Sequence, residues 1–378
     1  MILKNAKIVD DSFHLCNADL ALEGDKISSI GQGFSGKEEY DFSGCVIVPG
    51  FVDIHIHGCV GADTCDADAA GLAKMCAKLV QEGVTSFCPT TMTVSHEGIA
   101  QALESVRECM VHPPEGAAIA GVNMEGPYIS IHRKGAQAGE HVKNPDFTEF
   151  KNLYDTYGGI IKLVDIAPEC PGAEEFIRGA SRLCTVSIAH TTADYAAARH
   201  AFELGVSHVT HLYNAMPGLT HREPGVVGAV FDDGRVTAEI ICDGLHIDPA
   251  VLRITFGILG KDRVVVISDS MRAAGQPDGV SDLGGQTVYV KNGAARLEDG
   301  TLAGSTTNLH QEVKNLVGFG IPFLQAVQAA TLNPAREIHE EDKIGSIKAG
   351  KYADLVVLDS ELNIKMVVAR GKIAVDNR

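Results

Sequence analysis

His55 and His57 stand one residue apart at the end of an apolar run, Val46-Ile-Val-Pro-Gly-Phe-Val-Asp-Ile-His-Ile-His-Gly58. On a strand, side chains at i and i+2 share a face. Both imidazoles therefore reach one point beyond the strand end, where they can offer two nitrogen ligands to one divalent metal. Alone, such a pair is equally a strand with two hydrogen-bonded histidines. Other ionisable residues close later apolar runs. They are Glu125 in Asn123-Met-Glu-Gly-Pro, His190 in Ala189-His-Thr-Thr, His211 in Thr210-His-Leu-Tyr-Asn-Ala, His246 in Asp243-Gly-Leu-His and Asp269 in Ser268-Asp-Ser. Burying such groups unpaired costs several kcal/mol each, and a metal is the natural compensation.

Something must bring these residues together. Eight apolar, β-branched runs occur at 46–57, 84–90, 118–125, 160–168, 184–190, 206–211, 237–246 and 264–269. Helical patterns fill most gaps, at 69–81, 97–110, 194–204 and 249–259, the last with Asp248 as N-cap and Pro249 at the first helical position. Strands alternating with helices predict an α/β fold of the (β/α)8 TIM-barrel kind, whose functional groups gather at the C-terminal strand ends. Residues before about 50 read instead as short strands split by turns, and so does the C-terminal end. These ends predict a small β-sandwich domain formed from both termini, with parts at 1–50 and 345–378 flanking a barrel at 51–344.

The net charge of −17 argues against nucleic acid, which needs a basic face. The chain has no apolar run of the roughly 18 residues that a membrane span needs. Its first residues lack the apolar core of a signal peptide. Ten cysteines without Cys-x-x-Cys spacing then read as reduced thiols of a cytoplasmic protein. Cys59 and Cys65, just past the histidine pair, read as packing residues.

The constellation resembles the amidohydrolase superfamily and, more closely, the N-acetylglucosamine-6-phosphate deacetylases. The resemblance runs along nearly the whole chain. It rests on Pro49-Gly-Phe-Val-Asp-Ile-His-Ile-His-Gly, Met124-Glu-Gly-Pro-Tyr, Lys134-Gly-Ala, Ala189-His, Thr210-His-Leu-Tyr-Asn-Ala-Met, Arg222-Glu-Pro-Gly, Cys242-Asp-Gly-Leu-His, Ser268-Asp-Ser-Met-Arg-Ala and Leu302-Ala-Gly-Ser. The Glu-Gly-Pro and His-Leu-Tyr-Asn-Ala-Met segments are its most specific parts. The later Gly345-Ser-Ile-Lys-Ala-Gly-Lys-Tyr-Ala-Asp-Leu-Val is common across the superfamily and says less about substrate.

The resemblance implies Glu125, His190 and His211 as ligands of an always-present metal, with His55 and His57 completing a second site bridged by Glu125. One or two divalent ions per subunit follow, zinc first, with iron, manganese or cobalt also suited to mixed nitrogen and oxygen ligands. Related proteins bridge two metals with a modified lysine on the fourth strand. Here Lys162 lies too early, and Glu125 takes that place. Asp269 is then the general base and acid, ionised at neutral pH from an ordinary pKa of about 3.9. Arg222 makes a bidentate contact to the substrate phosphate, and the family implies that it does so across a homodimer interface. Asn214, Ala215, Asp243 and His246 contact the phosphosugar, as do Ala136 and Gln137, and the turn Leu302, Ala303, Gly304 lines its pocket. Many family members carry histidine where this chain has Gln137, an amide that donates a hydrogen bond but does not titrate. His141 could substitute only with a loop shift.

The expected reaction is metal-dependent removal of acetate from N-acetylglucosamine 6-phosphate. The galacto epimer is the sister alternative, differing at one hydroxyl. A deaminase would want a glutamate soon after His190, and His190-Thr-Thr-Ala193 offers none. A cyclic-amide hydrolase would want the fourth-strand lysine. A non-catalytic scaffold would have lost ligands, and this chain keeps them all.

Overall fold

Gly50 divides the first apolar run between two sheets. In the computed structural model, which describes residues 1–378, Val46–Pro49 pairs antiparallel with Leu355–Leu358 and parallel with Ile2–Val9. Phe51–Ile56 instead becomes the first barrel strand, β1, parallel to β2, Val84–Thr91. A Cβ on residue 50 would lie 2.0 Å from Thr85 Oγ1, so only glycine lets the chain cross there. The expected 46–57 strand is thus two strands in two layers.

The barrel continues through β3 (Val122–Met124), β4 (Ile161–Ile166), β5 (Thr185–Ile188), β6 (His208–Val209), β7 (Thr237–Ile240) and β8 (Val264–Val266), each parallel to the one before. Backbone bonds just past the strand ends close the ring: Asp269 N–H donates to His55 O (2.9 Å), and His57 and Gly58 N–H donate to Ser270 O (2.9 and 3.0 Å). The expected eight parallel strands are present, with shorter ladders than the apolar runs. The third run breaks at Gly121, where a Cβ would meet Lys162 Cγ at 2.2 Å. Ala118–Ile119 therefore pairs only with β2. The seventh run leaves the sheet after Ile240, so His246 sits on a loop.

The helices start where short polar side chains can take up free N–H groups. Asp68 caps α1 (Ala69–Gln81), Ser95 caps α2 (His96–Val111), Asp146 caps α3 (Phe147–Thr156) and Asp194 caps α5 (Tyr195–Leu204). Asp248 caps α7 (Pro249–Leu259) and Asn308 caps α8 (Leu309–Gly318). Between them lie α4 (Ala173–Ala180) and α6 (Gly225–Asp232). Two further helices follow, α9 (Phe323–Ala329) and α10 (Leu332–Glu337). Their apolar faces, including Leu72, Leu103, Phe176, Phe256 and Leu316, pack against the outward residues of the strands in one buried layer.

Both chain ends meet in one eight-stranded sheet, running Lys372–Asp376, Ile364–Ala369, Leu355–Leu358, Val46–Pro49, Ile2–Val9, Leu15–Glu23 and Lys26–Gly31, with Glu39–Asp41 branching from Ile2–Val9. This is the predicted small β unit built from both termini. It holds its own apolar cluster, with Leu3, Ile8, Leu20, Ile47, Leu355 and Met366. An unanticipated three-stranded antiparallel sheet (Gly279–Leu283, Gln286–Lys291, Ala294–Arg296) follows β8. Leu283, Val288 and Val290 of this sheet pack on Met92, Ala136, Met271 and Ala303 to wall the C-terminal side of the barrel.

Candidate metal centre and active site

The ends of five barrel strands converge on Glu125. It follows β3 and is almost wholly buried. Its Oε1 lies 3.0 Å from His190 Nε2, 3.1 Å from His211 Nε2 and 3.8 Å from His55 Nε2. Its Oε2 lies 3.2 Å from His57 Nε2. Asp269 joins from β8, with Oδ1 3.3 Å from His57 Nε2 and 3.6 Å from His55 Nε2. Two triads result, His55–His57–Glu125 and Glu125–His190–His211, each with ligand atoms within 4.8 Å of one another. His190, His211 and Asp269 all have positive φ (44°, 29° and 46°), a left-handed conformation that non-glycine residues adopt at a cost. In each the chain turns sharply at the strand end and delivers the side chain to the common centre.

Hydrogen bonds set which imidazole nitrogen faces that centre. His55 Nδ1 donates to Glu239 Oε2 (2.9 Å), His190 Nδ1 to Arg133 O (2.9 Å) and His57 Nδ1 to Thr90 O (3.3 Å). Their Nε2 lone pairs then point at carboxylate oxygens and at one another, with His190 and His211 Nε2 only 3.2 Å apart. Buried His55 Nε2 has no hydrogen-bond partner. Lone pairs facing lone pairs need a cation between them, so this donor set fits divalent metal. Protons supply that charge otherwise. Burial pulls the His57 pKa down, but hydrogen bonds to Asp269 and Glu125 outweigh it and carry it to about 10. The reciprocal effect reaches both carboxyls. Burial raises their pKa values, yet hydrogen bonds from His190 and His211 hold Glu125 well below its ordinary range, and one from His57 lowers Asp269.

A cavity of about 370 Å³ opens beside this cluster, within the roughly 300–1,000 Å³ range of small-molecule sites. Of the substrate-contact candidates, Ala136, Gln137, Asn214, Ala215, His246, Leu302 and Gly304 line it. Three do not. Asp243 braces its neighbour instead: Oδ2 accepts from His246 Nδ1 (2.7 Å), and Oδ1 accepts from the Leu245 and His246 amides. Ala303 is wholly buried in the apolar cluster behind the cavity wall. Arg222 is exposed and does not line the cavity of its own chain. Nor do Cys59, Cys65 and His141.

Sequence reasoning passed over several residues that shape the site. His132 and Arg133 line the cavity mouth, and their signal was adjacency to Lys134-Gly-Ala. Glu239 sits inside the apolar strand β7, where a lone carboxylate is itself a signal. Asp165, next to last in β4, is fully buried and accepts from Thr210 Oγ1 at 2.8 Å. Burial and then the Glu125 charge push its pKa up to about 8. Asp53 ties β1 to β8 by accepting from Ser268 Oγ at 2.6 Å.

Known proteins match this arrangement along its whole length. The amidohydrolase family model matches residues 46–374. An N-acetylglucosamine-6-phosphate deacetylase of Bacillus subtilis (strain 168) is 38% identical over 99% of this chain and 97% of its own length. An N-acetylgalactosamine-6-phosphate deacetylase of Escherichia coli O157:H7 is 36% identical over 87% of this chain and 88% of its own. A mutant N-acetyl-D-glucosamine-6-phosphate deacetylase from Mycobacterium smegmatis, solved in complex with N-acetyl-D-glucosamine-6-phosphate, superposes with a TM-score of 0.94 at 31% identity, covering 99% of both chains. With its parallel barrel and the His/Glu cluster at the strand ends, the chain belongs to the amidohydrolase family, among the amino-sugar-phosphate deacetylases.

Proposed function

We propose that the chain hydrolyses the acetamido group of N-acetylglucosamine 6-phosphate, giving glucosamine 6-phosphate and acetate. The observation that carries this reading is the position of Asp269, an ionised carboxylate held beside two triads that share Glu125. Glu125, His190 and His211 would hold one divalent ion, and His55 and His57 a second one against Glu125, zinc suiting both sets. When bound, such an ion supplies Lewis acidity that acidifies a water and polarises the acetyl carbonyl.

The chain's own residues do the rest. Asp269 accepts a proton as the water oxygen bonds to the acetyl carbon. It returns that proton to the amine nitrogen as the carbon–nitrogen bond breaks. Asp243 keeps the His246 ring fixed at the cavity wall, where it can meet a sugar hydroxyl. Asn214 and the backbone at Ala215, Leu302 and Gly304 line the remaining sugar surface. Arg133 and His132 at the mouth suit the phosphate from the same chain. In this reading Arg222 reaches the partner's cavity across a homodimer, and the enzyme works in the cytoplasm, in keeping with ten unpaired thiols.

Acetate release from N-acetylglucosamine 6-phosphate and from its galacto epimer, with metal content measured alongside, tests the proposal. Preference for the first is expected. Preference for the second would move the substrate to the epimer, as in the Escherichia coli relative. No release from either by folded, metal-loaded protein would overturn the reading.

A further inference from the structure

Glu239 is the only charged residue of β7, and it is fully buried. A barrel interior is filled most cheaply by branched apolar side chains, and a carboxylate there must be repaid by specific partners. Its Oε2 accepts from His55 Nδ1 at 2.9 Å and also takes the His211 backbone N–H at 3.3 Å. Its Oε1 faces His208 Nε2 at 3.3 Å. His208 is equally buried and has Nδ1 2.6 Å from Thr237 Oγ1 and 3.4 Å from Glu337 Oε2. His208 and Thr237 start their strands, so the series Glu337–His208–Glu239–His55 runs through the barrel from its N-terminal end to the metal rim.

The histidines of the centre are not braced alike. His190 gives its Nδ1 proton to a neutral backbone carbonyl, and His211 Nδ1 has no partner. Only His55 gives its Nδ1 proton to a carboxylate. Such a partner fixes the ring's tautomer and rotation and makes the opposite nitrogen a better donor to a metal. His57, like His190, gives its Nδ1 proton to a backbone carbonyl, and Glu239 touches His211 only through its backbone, so carboxylate bracing of a ring falls on His55 alone, in the half of the centre that would hold the second ion.

We propose that Glu239 is a positioning residue for the His55–His57 half of the centre, holding His55 with Nε2 free toward Glu125 so that this half can keep its own metal ion. The inference rests on the two-ion reading above and is tested by binding rather than by turnover.

Metal-stripped wild type, Glu239→Gln and Glu239→Met are titrated with Zn(II) and with Co(II). Stoichiometry, both affinities and the Co(II) absorption spectrum are recorded, and circular dichroism confirms that each protein is folded. Wild type should bind two ions per subunit. Both variants should keep one ion at wild-type affinity and bind the other roughly 10–100-fold more weakly. In a His55→Gln/His57→Asn background, adding Glu239→Gln should leave the remaining affinity unchanged. Two ions at wild-type affinities in both variants would overturn the role of Glu239 alone. Equal weakening of both ions, or weakening in the double-histidine background, would overturn its selectivity. A wild type that binds a single ion would overturn the two-ion reading instead.

Discussion

Gln137 Nε2 donates to Glu125 Oε2 across 2.6 Å, while Gln137 Oε1 accepts the Thr93 backbone N–H at 2.7 Å. The side chain expected to meet substrate thus spends both ends of its amide on the protein. It fixes the orientation of the carboxylate that both candidate metal triads share. Gln137→Ala leaves Glu125 Oε2 and the Thr93 amide short of a partner, at about 1–3 kcal/mol of stability. Metal affinity should fall with it, by roughly 10–100-fold. Denaturant unfolding and zinc titration check the two effects. An unchanged metal affinity would show that Glu125 holds its orientation without Gln137.

Asp269→Asn removes the proposed proton acceptor and keeps the shape. Turnover should fall by about 10²–10⁴-fold, the usual weight of general acid–base catalysis, with the metal content of the wild type. Steady-state kinetics on protein of known metal content make the comparison. Persistent turnover would reassign the proton transfer.

The His55→Gln/His57→Asn pair should remove one ion and leave the other on Glu125, His190 and His211. Elemental analysis after dialysis against a defined zinc buffer reads this directly. Loss of both ions together from folded protein would mean that the two triads do not bind independently.

Asp233 gives a pH dependence away from the site. Arg235 grips its carboxylate through Nε (2.9 Å) and Nη2 (2.6 Å), and Arg199 Nη1 adds a third bond at 2.9 Å. The Arg235 hydrogen bonds chiefly bring its pKa down to about 2. A carboxyl with a lowered folded-state pKa stabilises the fold above its unfolded value of about 3.9 and loses that contribution as pH falls toward 2. Asp233→Asn should therefore melt below wild type at pH 5–7, with the gap closing between about pH 4 and pH 2. Melting temperatures of metal-stripped wild type and variant across this range check the sign. A gap constant down to about pH 2 would contradict it.

The strand-end residues were legible because two local rules coincide. Strand periodicity marks where each apolar run ends, and barrels put their chemistry at those ends. Glu125, His55, His57, His190 and His211 were found that way and meet in one cluster, with Asp269 against His55 and His57. What stayed illegible depends on contacts distant in sequence. The crossing at Gly50 is set by Thr85, and the break at Gly121 by Lys162 and Ile160. Glu239 reads as part of a strand until His55, 184 residues away, is seen against it. The sheet from Gly279 to Arg296 packs on residues from four separate segments. Its own short, mixed pattern gave no hint of a cavity wall.

Val46–Pro49 joins an early neighbour, Ile2–Val9, to a late one, Leu355–Leu358. During synthesis the first is at hand almost at once. The second exists only after the whole barrel has been made. The terminal sheet must therefore be completed last, by closing a loop that spans most of the chain, a slow step by contact order. Until then one long edge of Val46–Pro49 is bare, and a bare edge invites pairing with other chains. A chain shortened to end before Leu355 should aggregate on expression even where its barrel forms. Co-expression of the missing strands as a separate peptide should restore solubility, and failure to do so would place the defect elsewhere.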